Sequence, residues 1–283
     1  MARKKPKRIG FVDYDPNNFH ADVYLQLLQG DLQPRGYAVS GVLAMRDRPG
    51  RAWAEANDVP YYASAEALNE AADFYVVLAP NRPEVHLELC RMVFPFGKTT
   101  YVDKTFAPDL AAARRIFALA DKHKVKVQTT SALRYTGVQD YVRQVGRARV
   151  RHMVAWGGGR SFDEYAIHPV ELVVSCMGPG AVSLTRRGTG SQSQLLVNFS
   201  GGRTAVINVY TKSDTPFMAT VTTARETRHI PVDGSQIFRD TAAAVLDLFD
   251  TGRPAVDRRE SLMVRRILDA AADPRARKGF VKL

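Results

Sequence analysis

Two side chains in this sequence are suited to acid–base work on an oxygen atom, Lys104 and His168, and local sequence sets each at the end of an element. Lys104 follows a short β-type run, 99–102, and Asp103. Pro108-Asp109 then opens an amphipathic helix, and a second β run covers 125–129. Asp109 is the expected N-cap, while Leu110, Ala113, Phe117 and Ala120, reinforced by Ile116, share one helical face. Such a strand, helix, strand unit packs on a sheet, and open parallel sheets take ligands outside the carboxyl ends of their strands. Asp103-Lys104 is therefore placed for chemistry; the alternative is a solvated lysine in a strand-to-helix loop.

His168 precedes Pro169, Val170 and Glu171, ahead of the apolar run 172–177 and Gly178. Proline disfavours helical geometry at the residue before it and suits the first helical position, so a helix should begin at Pro169 and end at Gly178. The positive end of that helix disfavours imidazolium, which keeps the His168 ring neutral and able to accept a proton near neutral pH. Glu171 falls at the third helical position, where an acid caps the terminus as readily as it does chemistry. A histidine beside apolar residues also serves commonly as a structural residue.

The elements that must position these residues change character along the chain. Strand-like runs at 8–12, 38–44 and 74–78 alternate with helical patterns at 21–29, 51–56 and 83–93, which means a parallel sheet with right-handed crossovers. From residue 150 longer β runs take over, at 150–156, 181–187, 194–199, 203–210 and 219–223, with Ser200-Gly201-Gly202 as a hairpin turn. Helices at 238–249 and 259–272 close the chain. The fold class expected is α/β, with a parallel-sheet domain followed by an α+β domain whose sheet is largely antiparallel.

Composition narrows the function. A length of 283 residues suits two domains, and 45% hydrophobic with 24% charged residues describes an ordinary globular protein. Forty Lys and Arg against 29 Asp and Glu give +11, a balance that suits anionic substrates or phosphate-bearing cofactors. Outside the tail 3–8 the basic residues are scattered among acids without aromatic interleaving, which argues against a dedicated nucleic-acid reader. No apolar run approaches the roughly 18 residues of a membrane span, and the N-terminus leads straight into a strand, so a cytoplasmic protein is expected. Cys90 and Cys176 lie in apolar runs and fit buried reduced thiols. His152, Glu164, His168 and Glu171 offer metal-type donors, but no HExxH or paired-cysteine spacing orders them, and no metal is expected. Hydrolase chemistry lacks a Gly-x-Ser-x-Gly, and Ser175 lies in a run that should be buried.

Five segments in order carry a resemblance: Ala79-Pro80-Asn81 with His86, Gly97-Lys98 through Asp103-Lys104-Thr105, Leu133-Arg134-Tyr135, Gly252-Arg253-Pro254, and 270–283. Together they resemble the PNxxH, GKHVxxEKP, RF or RY, G-x-P and A…G…V-x-L segments of the glucose-fructose oxidoreductase and inositol dehydrogenase family, Gfo/Idh/MocA, over nearly the whole chain. The resemblance implies a Rossmann-type dinucleotide-binding-like domain, 1–128, and an α+β substrate and oligomerisation domain, 129–283. It implies an oxidoreductase that passes hydride between NADP or NAD and a sugar- or polyol-like alcohol, in a homo-oligomer, commonly a dimer. Lys104 then contacts the nicotinamide ribose and the reacting hydroxyl, Pro80 and Asn81 join the cofactor site, and His168 gives and takes the proton. Glu164 stands where the family's D-x-G-x-H segment has its supporting aspartate, and Tyr165-Ala166 replaces the glycine context. Arg134, Tyr165 and Glu171 are the candidate substrate-binding residues, with the loop 156–163 beside them; the alternative for Arg134 and the loop is packing at the domain interface. Lys104 and His168 are expected to face one cleft.

The chain departs from the family after its first strand. Where the family has G-x-G-x-x-G, this sequence has Asp13-Tyr14-Asp15-Pro16-Asn17-Asn18. All three glycine positions are filled, two by carboxylates that repel a diphosphate, and each adds a Cβ where backbone should approach it. Asp13, Asp15 and Asn18 are still the residues that would meet a cofactor there. The second strand runs into Met45-Arg46-Asp47-Arg48, which puts Arg46 where NAD-using members commonly carry an acid. A guanidinium at Arg46 or Arg48 can make paired charge-assisted bonds to a 2′-phosphate, so NADP is expected over NAD. A one-residue shift would return Asp47 to the ribose. The rival reading is a non-redox sugar-binding, regulatory or partner-dependent protein on the same scaffold, with dinucleotide binding lost.

Overall fold

In a computed structural model the described residues are 5–188 and 190–283; Arg3 and Lys4 of the basic tail lie outside them. Two units form, residues to 130 with 238–256, and residues 131–237 with 257–283. Along the chain the first unit supplies β1 (Lys7–Asp13), α1 (Phe19–Gln29), β2 (Tyr37–Ala44), α2 (Asp47–Ala56), α3 (Ala65–Ala71), β3 (Phe74–Val77), α4 (His86–Val93), β4 (Thr100–Val102), α5 (Leu110–Lys122) and β5 (Val127–Gln128). The second contains α6 (Gly137–Val145), β6 (His152–Gly159), α7 (Phe162–Tyr165), α8 (Ile167–Met177), β7 (Ala181–Arg187), β8 (Gln192–Phe199), β9 (Arg203–Thr211), β10 (Met218–Thr222) and β11 (Thr227–Pro231). Then α9 (Ile237–Thr251) runs back to the first unit, and α10 (Arg258–Ala272) and β12 (Val281–Lys282) complete the second.

The first unit is a five-stranded parallel sheet in the order β2-β1-β3-β4-β5. Its order reverses at β1, so the carboxyl ends of β1 and β3 flank the crevice where such sheets take ligands. α5 forms as its pattern dictates: the Asp109 carboxylate accepts the Ala112 N–H at 2.6 Å, and Ala113, Ile116, Phe117 and Ala120 are buried. α9 offers Ala242, Val245, Leu246 and Phe249 on one face, at spacings of three and four, and buries them with Ile9, Tyr24, Tyr37 and Val76. Burying Val245, Leu246 and Phe249 stabilises by about 1.5–3 kcal/mol each. Arg35 adds bonds to Asp247 at 2.8 Å and Asp250 at 2.7 Å. A single boundary at 128/129 would leave α9 with the second domain; in the fold it completes the core of the first.

The second unit is a seven-stranded sheet, β11-β10-β6-β9-β8-β7-β12, antiparallel at every pairing except β6 with β9. Residues 200–202 join β8 to β9, with Gly201 at φ 74° and Gly202 at φ 72°. α8 packs on this sheet and α10 on α8. Two short helices, α3 and α6, and the edge strands β11 and β12 have no counterpart in the sequence pattern read above, because their apolar periods are too short to separate from loop. Among the described residues no helix is long and apolar enough to cross a membrane, and no group of three or more His, Cys, Asp or Glu is placed to hold a metal ion.

Candidate functional site

Lys104 stands two residues past β4, at the carboxyl end of the parallel sheet. It is nearly buried, with Nζ 3.5 Å from the Pro80 carbonyl. Asp103 beside it is sealed in and pairs with His20 of α1, Oδ2 to Nδ1 at 2.7 Å. Burial pushes the Asp103 carboxyl up, but the His20 charge and hydrogen bond, with Lys104, outweigh it and hold the carboxyl below its ordinary range. His86 is fully buried, and its ring spans the Ala79 and Phe106 carbonyls at 3.1 Å each. That ring pins the segment carrying Pro80 and Asn81 to the chain that follows Lys104, and burial pulls its pKa down. Pro80 is buried and Asn81 exposed.

The turn between β1 and α1 is closed by its own side chains. The Asn18 carboxamide accepts the N–H groups of His20 at 3.0 Å and Ala21 at 3.1 Å, which are first-turn donors of α1. Its Nδ2 donates to the Asp13 carboxylate at 2.9 Å and to the Asp15 carbonyl at 2.8 Å. Asp13 is wholly buried and also accepts the Asp15 N–H; burial pushes its pKa up to about 7 against those hydrogen bonds. Arg46, immediately before α2, reaches back to the Asp15 carboxylate at 3.1 Å, and Arg82 lies over the Tyr14 ring, 4.5 Å from its centroid. Arg48 is exposed in the first turn of α2.

In the second unit His168 lies in the first turn of α8. The helix starts at Ile167, two residues earlier than the proline rule places it, and α7 precedes it with only Ala166 between, itself in helical geometry. Pro169 has no N–H to give the Tyr165 carbonyl, which accounts for the break between α7 and α8. The terminus at His168 is thus less open than a helix starting at Pro169 would leave it, while Gly178 caps the far end as expected, at φ 83°. The His168 Nδ1 lies 2.7 Å from the Ser131 hydroxyl, and Tyr165 sets its ring 5.8 Å from the imidazole. A Cβ at Gly159 would fall 2.0 Å from the Tyr165 ring, so this strand end needs glycine both for its φ of 154° and for the space. The strand β6 runs through Gly159, so half of the segment expected as a loop at 156–163 is sheet. Glu164 lies in α7, its N–H on the Ser161 hydroxyl.

Glu171 and Arg134 belong to a buried network. Glu171 is the fifth residue of α8, not the third, and one carboxylate oxygen accepts the Ser131 N–H at 2.8 Å, so it is not a terminal cap. The other takes Arg134 Nε at 2.7 Å; Arg134 reaches Glu260 of α10 at 2.6 Å, and Arg147 reaches the same Glu260 at 2.7 Å. Burial lowers the Arg134 pKa, but Glu171 and Glu260 more than reverse it. Ser131 was not among the residues the sequence pointed to. Its one local signal is capping: the hydroxyl accepts the Leu133 N–H at 3.3 Å.

Residues 17–131 match the family model GFO_IDH_MocA, described as an oxidoreductase family with an NAD-binding Rossmann fold. Over these residues, its Rossmann domain, the chain matches the Gfo/Idh/MocA family. Solved structures of similar fold include myo-inositol dehydrogenase from Lactobacillus casei in complex with NAD(H) and myo-inositol, at 12% identity and TM-score 0.81, covering 98% of this chain and 97% of that one. GenD2 from gentamicin A biosynthesis, in complex with NAD, is 16% identical with TM-score 0.80 and covers 100% and 98%. UDP-N-acetylglucosamine 3-dehydrogenase GnnA from Acidithiobacillus ferrooxidans is 13% identical with TM-score 0.79, covering 94% and 97%. At these identities the likeness is one of fold. No curated protein sequence matches the chain.

For the nicotinamide dinucleotide of a Gfo/Idh/MocA protein, the residues fit at one end and not at the other. Lys104 at the end of β4, with the Pro80-Asn81 segment beside it, has the donor chemistry for a ribose and a reacting oxygen. At the turn, Asn18 already takes two of the α1 donors that would meet a diphosphate, and Asp13 and Asp15 occupy glycine positions.

Proposed function

We propose that this Gfo/Idh/MocA protein is an oxidoreductase acting on a sugar- or polyol-like alcohol, with NADP preferred to NAD, in a cytoplasmic homo-oligomer. The observation that carries the reading is Lys104, held almost buried at the carboxyl end of β4 within the segment that matches the family. A nicotinamide dinucleotide would exchange the hydride with the substrate carbon. Lys104 polarises the substrate oxygen with its ammonium, and His168 moves the hydroxyl proton. Tyr165 beside the imidazole, and Glu164 one helical turn before it, shape the surroundings of that proton transfer. Arg134 and Glu171, tied to each other and to Glu260, support the site from within instead of gripping substrate. Arg46 and Arg48 carry the NADP preference, although Arg46 must share its charge with Asp15.

The closed turn at residues 13–18 favours a second reading, a non-redox sugar-binding, regulatory or partner-dependent protein on this scaffold. Calorimetric titration with NADP and NAD, followed by a reduced-cofactor absorbance assay over a panel of polyols and sugars, separates the two. Turnover that falls by about 10²- to 10⁴-fold in Lys104→Met and His168→Asn supports the oxidoreductase. Silence from both cofactors at millimolar concentration establishes the second reading, and tighter NAD than NADP overturns the arginine argument.

A further inference from the structure

We propose that Ser131 is a positioning residue that holds the His168 ring and keeps its proton on Nδ1, so that Nε2 is the nitrogen that exchanges protons. The inference rests on the reading of His168 as the proton carrier. Ser131 is clamped at two points by the first two turns of α8: its hydroxyl lies 2.7 Å from His168 Nδ1, and its N–H donates to Glu171 Oε2 at 2.8 Å. His168 and Glu171 are three residues apart, so they share one helical face and meet the same residue. The clamp is itself fixed, because Glu171 is bonded by Arg134, and Arg134 by Glu260, all of them buried. The hydroxyl also accepts the Leu133 N–H at 3.3 Å, which sets its lone pairs toward this corner.

The direction of the bond to His168 follows from the proton cycle. A ring that takes a proton at Nε2 must carry its resting proton on Nδ1. An oxygen that accepts Nδ1–H serves both the neutral ring and the imidazolium, so the ring can load and unload at Nε2 without moving. A hydroxyl that donated to Nδ1 would have to reverse at every protonation. The serine thus takes the part that a carboxylate plays behind a catalytic histidine elsewhere, without adding a charge. Ser131 is fully buried, which excludes it as a nucleophile.

Nitrogen-15 spectra of histidine-labelled protein test this on the unaltered chain, with His168→Asn identifying the resonance among the six histidines. The neutral His168 ring should carry its proton on Nδ1; a proton on Nε2 overturns the proposal. In Ser131→Ala, checked by its melting curve, the ring should show mixed tautomers. Losing the acceptor removes support for the imidazolium, so its pKa should fall and the acid limb of kcat/KM for alcohol oxidation should move to lower pH. The plateau should drop by about 10- to 100-fold. An unchanged tautomer and an unchanged limb in a folded Ser131→Ala also overturn it. Absence of turnover in the unaltered protein, with Nδ1 protonated, counts against the oxidoreductase reading and leaves the tautomer assignment standing.

Discussion

Both units place polar side chains at the start of a helix, and they use them in opposite ways. At α1 the helix mouth is closed in cis: Asn18 satisfies the His20 and Ala21 N–H groups, and Asp13 and Asp15 hold Asn18. At α8 the polar residues of the first two turns reach outward to another segment, His168 and Glu171 meeting Ser131 some 40 residues earlier in the chain. The same chemical features, a helix start and a cluster of polar groups, therefore give a sealed turn in one unit and an oriented imidazole in the other. What separates them is where the capping partner comes from. A cap supplied by the residue just before the helix consumes the donors locally, whereas a proline in the first turn and a partner from a distant loop leave a side chain held and presented.

The largest expected effect comes from breaking the α8 arrangement. Glu260→Ala strips Arg134 and Arg147 of a shared carboxylate and leaves the Arg134 guanidinium buried beside Glu171 alone. Denaturant unfolding should show a loss of about 3–5 kcal/mol, as removing one partner of a buried ion pair does: Glu171 still compensates the Arg134 charge, but the donors aimed at Glu260 lose their acceptor. A loss under about 1 kcal/mol would mean that the network does not anchor Ser131.

Next is the α1 turn, through pH. The Asp13 pKa is raised by burial, to about 7 in the fold against 3.8 for the free group. Between those values the folded chain keeps a proton that the unfolded chain has lost, so this group's contribution is fully present below about pH 3.8 and disappears as pH rises through 7. The swing is on the order of 4 kcal/mol across that window. Asp13→Asn should flatten this part of the stability curve, measured by urea midpoints from pH 4 to 8; an unaltered slope would place the titration on another group.

The smallest effect sharpens the comparison most. Asn18→Ala should cost about 1 kcal/mol of stability, as lost N-caps do. It also frees the His20 and Ala21 N–H groups. If self-capping is what separates α1 from a diphosphate site, dinucleotide affinity by calorimetry should rise in this variant, and an equal or weaker affinity would assign the exclusion to Asp13 and Asp15.

Much of this protein is determined by sequence alone, because the decisive interactions are short in range. The alternation of strands and helices to residue 130, the Asp109 cap of α5, the Gly178 stop of α8 and the turn at 200–202 all depend on neighbours a few residues apart. The place of Lys104 at a strand end is legible for the same reason, as is the anomaly of Asp13, Asp15 and Asn18. Only the tertiary structure decided the rest. Ser131 meets His168 across 37 residues, Asp103 meets His20 across 83, and Arg134 meets Glu260 across 126. Sequence reading left Glu171 between a helix cap and chemistry and counted both Glu171 and Arg134 as candidate substrate residues, because a charge in isolation belongs in water. Each is buried because its partner arrives from a distant element, and α9 joins the first sheet because its apolar stripe fits a core built more than 140 residues earlier. Sequence spacing encodes which faces are apolar and where the chain turns; which charges meet depends on how those faces close.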